Sequence, residues 1–326
     1  MSTDPRAVGW AIRTQALRFL LGESLLFSRS FPALVLDIHF SKLAQNPGLL
    51  RVPVERLSSG IECAIIYSHP VESDFPRLSL LKDSIRYVPE HLNHFYVELR
   101  PSFPEYLKNL DPKSRHELQR KIRRFRAVSG ESCWRQFRSP DEMQEFHRLA
   151  GEVSKKTYQE RLLNVGLPSG ENFKRQLVDL AHHDQVRGYI LFLDAGPIAY
   201  GYCCAQEDVL NYAHTGYDPD FPDLSPGIVL LNFMLESLFT EGRFQLLDFG
   251  GGSAQWKRSY ATGTSRFAIV YYFRRTSANL LLVASHIAVG AFSDAVVKLL
   301  AMLGVKERIK KLFRRGLNPF RGRAAG

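Results

Sequence analysis

Apolar positions along this chain switch repeatedly between a period of two and a period of three to four, and the switches mark its elements. Phe95, Val97 and Leu99 alternate with polar neighbours as in a half-buried strand. Asp111-Pro112 then offers an N-cap followed by proline at the first helical position. Leu118, Ile122 and Phe125 give the helix that follows a narrow apolar stripe, and Arg115, Arg120, Lys121, Arg123, Arg124 and Arg126 occupy the rest of its circumference. A strand over 132–138 precedes Ser139-Pro140-Asp141-Glu142, which sets cap, proline and acidic first turn in the order a helix start favours. Met143, Phe146, Leu149, Ala150, Val153, Thr157 and Leu162 keep helical spacing from there to a stop at Gly166. A further helix spans 170–183. Three strands follow over 185–193, 198–205 and 209–216, the first two joined by the tight-turn sequence Asp194-Ala195-Gly196-Pro197, so the three form an antiparallel meander. A polar loop over 217–224, a helix over 225–241, a buried-type strand over 244–249, an irregular segment over 250–263 and a strand over 267–273 complete this part. The helical stretch 278–313 grows steadily more basic. The first ninety residues, with short β-like runs over 33–40 and 62–67 and prolines at 53, 70, 76 and 89, predict a smaller α/β unit without a chemical motif.

Composition narrows this picture. The 326 residues are 45% hydrophobic, ample for a buried core. Four cysteines, two of them adjacent at Cys203 and Cys204, show no CxxC spacing and no neighbouring His cluster, which points to reduced thiols in a reducing compartment and to no metal. Arg13, Arg18 and Glu23 interrupt the apolar start, so it does not read as a secretory signal, and a cytoplasmic location is expected. The apolar run 280–292 holds His286 and is about 13 residues against the roughly 20 that cross a bilayer, so no transmembrane span is expected there. The net charge is +10, and the tail beyond Gly304 carries most of it: Lys306, Arg308, Lys310, Lys311, Arg314, Arg315, Arg321 and Arg323 stand against Glu307 alone. Leu299, Leu303, Ile309, Leu312 and Phe313 alternate with these cations, a pattern suited to peripheral contact with an anionic membrane.

The order of elements over 131–273 is that of the GNAT acyltransferases, and the residues resemble one branch of them. The run ILFLDAGPIAYGYCCAQEDVLNYAHTGYDPDFPDLSPGIVLLNFMLESLF and the later LLDFGGGSAQWKRSYATG are similar to the CelD/BcsL-like branch, linked with cellulose and exopolysaccharide biosynthesis and related to Fem-type aminoacyl transferases. The basic helix LDPKSRHELQRKIRRF matches the segment preceding the domain in that family. The resemblance covers roughly 95–273. It implies an α/β GNAT fold, a mixed and mostly antiparallel sheet flanked by helices, over 95–275. Residues 1–94 would form a smaller α/β unit, a candidate degenerate GNAT-like half, and 276–326 a basic amphipathic helix and tail. The chain departs from the pattern twice. The Gln/Arg-x-x-Gly-x-Gly/Ala pyrophosphate loop is absent, leaving Ser225-Pro226-Gly227 at the helix start, and the family's Tyr-Lys pair stands here as Trp256-Lys257.

The function implied is bacterial acyl transfer from acetyl-CoA or another acyl-CoA to an amine or hydroxyl of a small-molecule or saccharide acceptor. Ser225 as cap, Pro226 at the first helical position and Gly227 without a side chain are expected to leave the N–H groups of Gly227, Ile228 and Val229 for the donor pyrophosphate, aided by the helix dipole. In GNAT enzymes the preceding strand offers its backbone to the thioester, which here means Ala213, His214 and Thr215. The family pattern places a functional acid at Asp248, His214 is a second candidate base, and Tyr260 falls where a thiolate-protonating tyrosine is common. Lys257 is a candidate for phosphate or acceptor. Gly250-Gly251-Gly252 lacks dinucleotide spacing and suits close approach of the chain. Tyr158, Arg161 and Trp256 are candidate substrate contacts. Two other readings stay open: a Fem-type enzyme using aminoacyl-tRNA, whose coiled-coil arm the sequence lacks, and a non-catalytic GNAT-like module that binds membrane or nucleic acid. Nucleic acid is not the expected partner.

Overall fold

The computed structural model describes residues 9–22, 24–36, 38–58, 60–129, 133–157, 166–252 and 254–302. Tyr158, Arg161 and the basic tail lie outside them. The described chain opens with β1 (Trp10–Leu21) and β2 (Ser24–Leu36), an antiparallel hairpin turned at Gly22 with φ +61°. After α1 (Phe40–Gln45) come β3 (Cys63–Pro70), β4 (Leu78–Leu80) and β5 (Ser84–Glu98). Helices α2 (Phe103–Asn109) and α3 (Pro112–Ser129) and strand β6 (Trp134–Phe137) lead to α4 (Pro140–Lys156) and α5 (Glu171–His182). The meander β7 (Val186–Leu193), β8 (Gly196–Gln206), β9 (Val209–Tyr217) precedes α6 (Pro226–Glu241). The rest is β10 (Leu246–Gly251), α7 (Gln255–Tyr260), β11 (Gly263–Arg274) and α8 (Ser277–Met302).

These elements form two compact units: Met1–His91 with Ala268–Gly326, and Leu92–Phe267. The chain passes from the first to the second within β5 and back within β11.

In the first unit the strand order is β1-β2-β3-β11, with β2 and β3 parallel and Ala33 opposite Cys63. Leu17, Phe31, Ile65, Tyr87 and Phe273 bury against Leu282 and Val283 of α8. Of the short strand expected over 33–40, residues 33–36 are the inner end of the much longer β2, whereas His39 caps and Phe40 opens α1. Residues 24–30 are exposed on both faces, so burial imposes no alternation that the sequence could display. The terminal helix also outruns the apolar core read from the sequence. Ser277–Leu299 is long and apolar enough, by length and composition, to cross a membrane, because Asp294 and Lys298 interrupt the run without ending the helix.

In the second unit the order is β5-β10-β9-β8-β7-β6, antiparallel throughout except for β9 and β10. Alternate residues of the meander face two cores. Tyr189, Leu191 and Cys203 pack with α3 and α6, whereas Ile190, Tyr200 and Tyr202 pack with α4 and α5. Gly188 lets Phe146 lie against β7, since a Cβ there would come within 2.6 Å of the ring. The Ser139 start forms a full capping box with Glu142, as its sequence predicts. α4 stops at Lys156, short of the Gly166 expected, where Thr157 takes an extended conformation and donates its hydroxyl to Ser154 O. The mixed sheet flanked by helices is the α/β arrangement expected.

Candidate functional site

β9 and β10 pair in parallel, and among the described residues they stay paired for three positions: Leu246 with Val209, Leu247 with Leu210 and Asp248 with Asn211. Beyond that point they part, and both strands carry an irregularity there. β10 shifts register against β5 between Asp248 and Gly251, with Gly250 at φ +72°, and β9 shifts against β8 opposite Tyr202 and Cys203. Gly250 supplies the left-handed backbone that a side chain would strain. A cleft of about 540 Å³ occupies the gap, lined by His94, Asn211, Tyr212, Thr215, Asp248, Trp256 and Lys257 among others.

The polar centre of the cleft is a buried pair. His94 Nδ1 lies 3.0 and 3.1 Å from the two carboxylate oxygens of Asp248, and Asp248 Oδ1 also accepts the Gly250 N–H at 2.8 Å. A carboxylate beside Nδ1 fixes the proton on that nitrogen, which leaves the basic lone pair on Nε2. The ring is braced by Phe267, whose centroid is 4.0 Å away. The residues arise from local alternation: Phe95 and Val97 point into the α3–α6 core, as do Leu247 and Phe249, so His94 and Asp248 take the opposite phase of two neighbouring strands.

Around the pair, Tyr212 donates its hydroxyl to Thr215 Oγ1 at 2.8 Å, and burial pushes that phenol well above its usual range. Trp256 packs on Phe249 at 5.1 Å. Lys257 Nζ donates to Gly251 O at 2.8 Å and Gly250 O at 3.4 Å, so the lysine closes the glycine turn from within. Burial lowers its pKa, and the Asp248 carboxylate opposes that shift.

Of the residues expected at the site, Asp248, Thr215, Trp256 and Lys257 come together at this cleft. His214 does not line it. Its ring lies tilted at 5.9 Å from Tyr202 and edge-on at 6.1 Å from Phe173, in the α4–α5 layer, where burial lowers its pKa. Nor does Tyr260, a core residue of the α3–α6 side whose carbonyl accepts the Tyr106 hydroxyl at 2.8 Å and whose phenol burial pushes up to about 12. The segment expected to be irregular is helical over Gln255–Tyr260, and this turns Trp256 and Lys257 towards the cleft and Tyr260 towards the core.

The tip of α6 needs a sharper correction. Ser225 sits in the left-handed region, φ 50° and ψ 49°, and makes no side-chain cap. Val229 N–H donates to Ser225 O at 3.1 Å, as the fourth helical residue must, and Ile228 N–H donates to the same oxygen at 3.0 Å. Of the three donors expected to await an anion, Gly227 N–H alone has no such backbone acceptor among the described residues, and its neighbourhood is roomy, with Tyr217 3.5 Å from where a Cβ would stand.

His94, Asn211 and Tyr212 had no motif to announce them. The signal for His94 was its place one residue before the Phe95 alternation, on the polar phase of a strand otherwise built for burial. Its partner lies 154 residues away in sequence.

No curated protein matches this sequence. Similar solved structures include FemX, at 11% identity and TM-score 0.49 over 85% of this chain and 91% of that one. L-PGS from Bacillus licheniformis gives 12% and 0.48 over 86% and 89%. The C-terminal domain (DUF2156) of a lysylphosphatidylglycerol synthetase from Agrobacterium fabrum, described as putative, gives 11% and 0.47 over 88% and 91%. Residues 112–258 match the acetyltransferase (GNAT) domain family, a stretch from α3 to α7 that holds all of the cleft but His94.

Proposed function

We propose that this domain transfers an acyl group from acyl-CoA, with acetyl-CoA the first donor to test, to an amine or hydroxyl of a saccharide or cell-envelope precursor. The observation that carries this reading is the buried His94–Asp248 pair at the point where β9 and β10 part. A cleft between parted strands exposes backbone groups that neighbouring strands would otherwise use, and it lets a thioester approach them end-on. A backbone N–H of the segment from Ala213 to Thr215, aimed at the developing oxyanion, would be worth about 2.7–4 kcal/mol. The pyrophosphate would sit at Gly227 N–H and the positive end of α6.

His94 is the general base. Its Nε2 takes the proton of the incoming amine or hydroxyl as the nucleophile bonds to the thioester carbon, and the C–S bond breaks. The thiolate then recovers that proton from the imidazolium. Asp248 is a positioning residue: with both oxygens directed to His94 Nδ1 it holds the tautomer and stabilises the imidazolium, which differs from the direct base role its sequence position suggests. Lys257 keeps the glycine turn closed over the cleft. In this reading the protein works in the bacterial cytoplasm with a peripheral membrane contact through its basic C-terminal segment.

Calorimetric titration with acetyl-CoA in high salt tests the donor. We expect saturable one-to-one binding that weakens with salt but persists, because the acyl-pantetheine arm is held in the cleft by contacts that salt does not screen, whereas a long electrostatic contact with tRNA would fade. Absence of acetyl-CoA binding at any salt would remove the reading.

A further inference from the structure

Helix α8 is tied to its own unit by polar side chains spaced seven residues apart. Asn279 Nδ2 donates to Arg274 O at 3.0 Å. His286 meets the Tyr87 hydroxyl through Nδ1 at 2.6 Å and Arg18 O through Nε2 at 3.0 Å, and Ser293 Oγ accepts the Gly22 N–H at 2.8 Å. Seven residues are close to two turns, so the three ties lie on one face, together with the buried Leu282 and Val283.

The opposite face carries Leu281, Ala284, Ser285, Ala288, Phe292, Ala295, Leu299 and Met302, with no charge among them. Its large residues stand in the open: Leu281 is 72% exposed, Phe292 63%, Leu299 52% and Met302 78%. From Leu281 to Met302 this stripe runs about 30 Å at 1.5 Å per residue.

The same end of the unit holds a second apolar group. The Gly22–Ser293 bond brings the β1–β2 turn beside the later turns of α8, and Leu20, Leu25, Leu26 and Phe27, around that turn, are all exposed. The chain that leaves α8 at Met302 then brings eight Lys or Arg against Glu307 alone.

We propose that the outer stripe of α8 and the tip of the β1–β2 hairpin form one edge that lies in the interface of an anionic lipid bilayer, with α8 parallel to the membrane plane. Apolar side chains enter the boundary between headgroups and acyl chains, and the cations that follow Met302 pair with anionic headgroups. The helix has the length and composition to cross, but crossing would strip His286 of Tyr87 and Arg18 O on the sheet and Ser293 of the Gly22 N–H at the hairpin turn. This deepens the peripheral contact proposed above and is independent of the donor, since the edge belongs to a different unit from the cleft.

The test uses the full-length protein and sedimentation with vesicles of phosphatidylcholine alone or mixed with phosphatidylglycerol. We expect binding to the mixed vesicles, weakened by salt, and a loss of tenfold or more in Phe292→Ser/Leu299→Ser and in Leu25→Ser/Leu26→Ser. Both variants replace exposed residues and should leave thermal midpoint and acetyl-CoA affinity unchanged. Leu281→Trp, Phe292→Trp and Leu299→Trp, each read as the quenching by brominated lipids in excess of the wild-type protein's, should report one shallow depth. Depths that increase steadily along the helix would mean that it spans. Equal binding of both variants and wild type, or binding to neither vesicle with a dimer lost in Phe292→Ser/Leu299→Ser, would likewise overturn the proposal.

Discussion

At the scale of single residues the chemistry reduces to one carboxylate shared between a histidine and a glycine N–H. Asp248→Asn keeps the shape and removes the charge that holds His94 in its tautomer. His94→Gln removes the base itself. Each should lower acyl-transfer turnover by about 10²–10⁴ while leaving the acetyl-CoA dissociation constant within a few-fold, because neither group need touch the pyrophosphate. Steady-state rates and calorimetry on the same preparations check this, and unchanged turnover in either variant would remove that residue from the mechanism. Gly227→Glu addresses the other end of the donor. The site has room for a side chain, so the fold should survive, but a carboxylate beside the helix tip repels phosphate, and acetyl-CoA affinity should fall by at least tenfold. Retained affinity would show that the donor lies elsewhere. Asp248 was legible in the sequence because it ends a buried-type strand. His94 was not, since a histidine on the polar phase of a strand looks like any surface residue until its partner is placed, and nothing local places a partner 154 residues away.

At the scale of elements, the far end of α6 is fixed to β7 by a buried cation. Arg187, fully buried, bonds Glu241 at the last turn of the helix and Asp184 at 2.9 Å. Burial tends to raise the Asp184 carboxyl, but Arg187, Arg138 and Arg243 outweigh it and hold that acid well below its usual range. Glu241→Ala leaves Arg187 short of a partner and should destabilise on the order of 3 kcal/mol, read as a lower denaturant midpoint at unchanged slope. An unshifted midpoint would mean that Asp184 alone suffices. The elements best read from sequence were those whose ends carry chemistry, such as the capping box at Ser139 and the tight turn at Asp194. Those read worst lacked a burial contrast: the doubly exposed half of β2, and α8, whose outer face is as apolar as its inner one. Helix α7 hid in a glycine-rich stretch because its register depends on Lys257 reaching back to Gly250 and Gly251.

Over the whole molecule, the second unit followed its sequence closely, since strand order, helix positions and the GNAT resemblance all agreed. The first unit did not, because its hairpin and terminal helix meet across 271 positions, with no motif at either end. Three histidines with lowered pKa, His69, His214 and His286, give the protein a shared acid sensitivity, in each case through burial first. Their unfolded forms bind protons more readily than their folded forms. The stability they add is therefore present above the ordinary histidine value of about 6.5 and is lost as pH falls through and below it. The thermal midpoint should drop between about pH 7 and pH 5, and His214→Phe should flatten part of that slope. A midpoint constant across the range would contradict the buried, neutral state of these rings.

The most direct measurement is a crystal structure of the protein soaked with acetyl-CoA. We expect density for the acyl-pantetheine arm between β9 and β10, with the thioester beside Thr215 and within reach of His94, and the diphosphate at Gly227. Density for the donor anywhere else, with the gap between those strands empty, would contradict the proposed donor site.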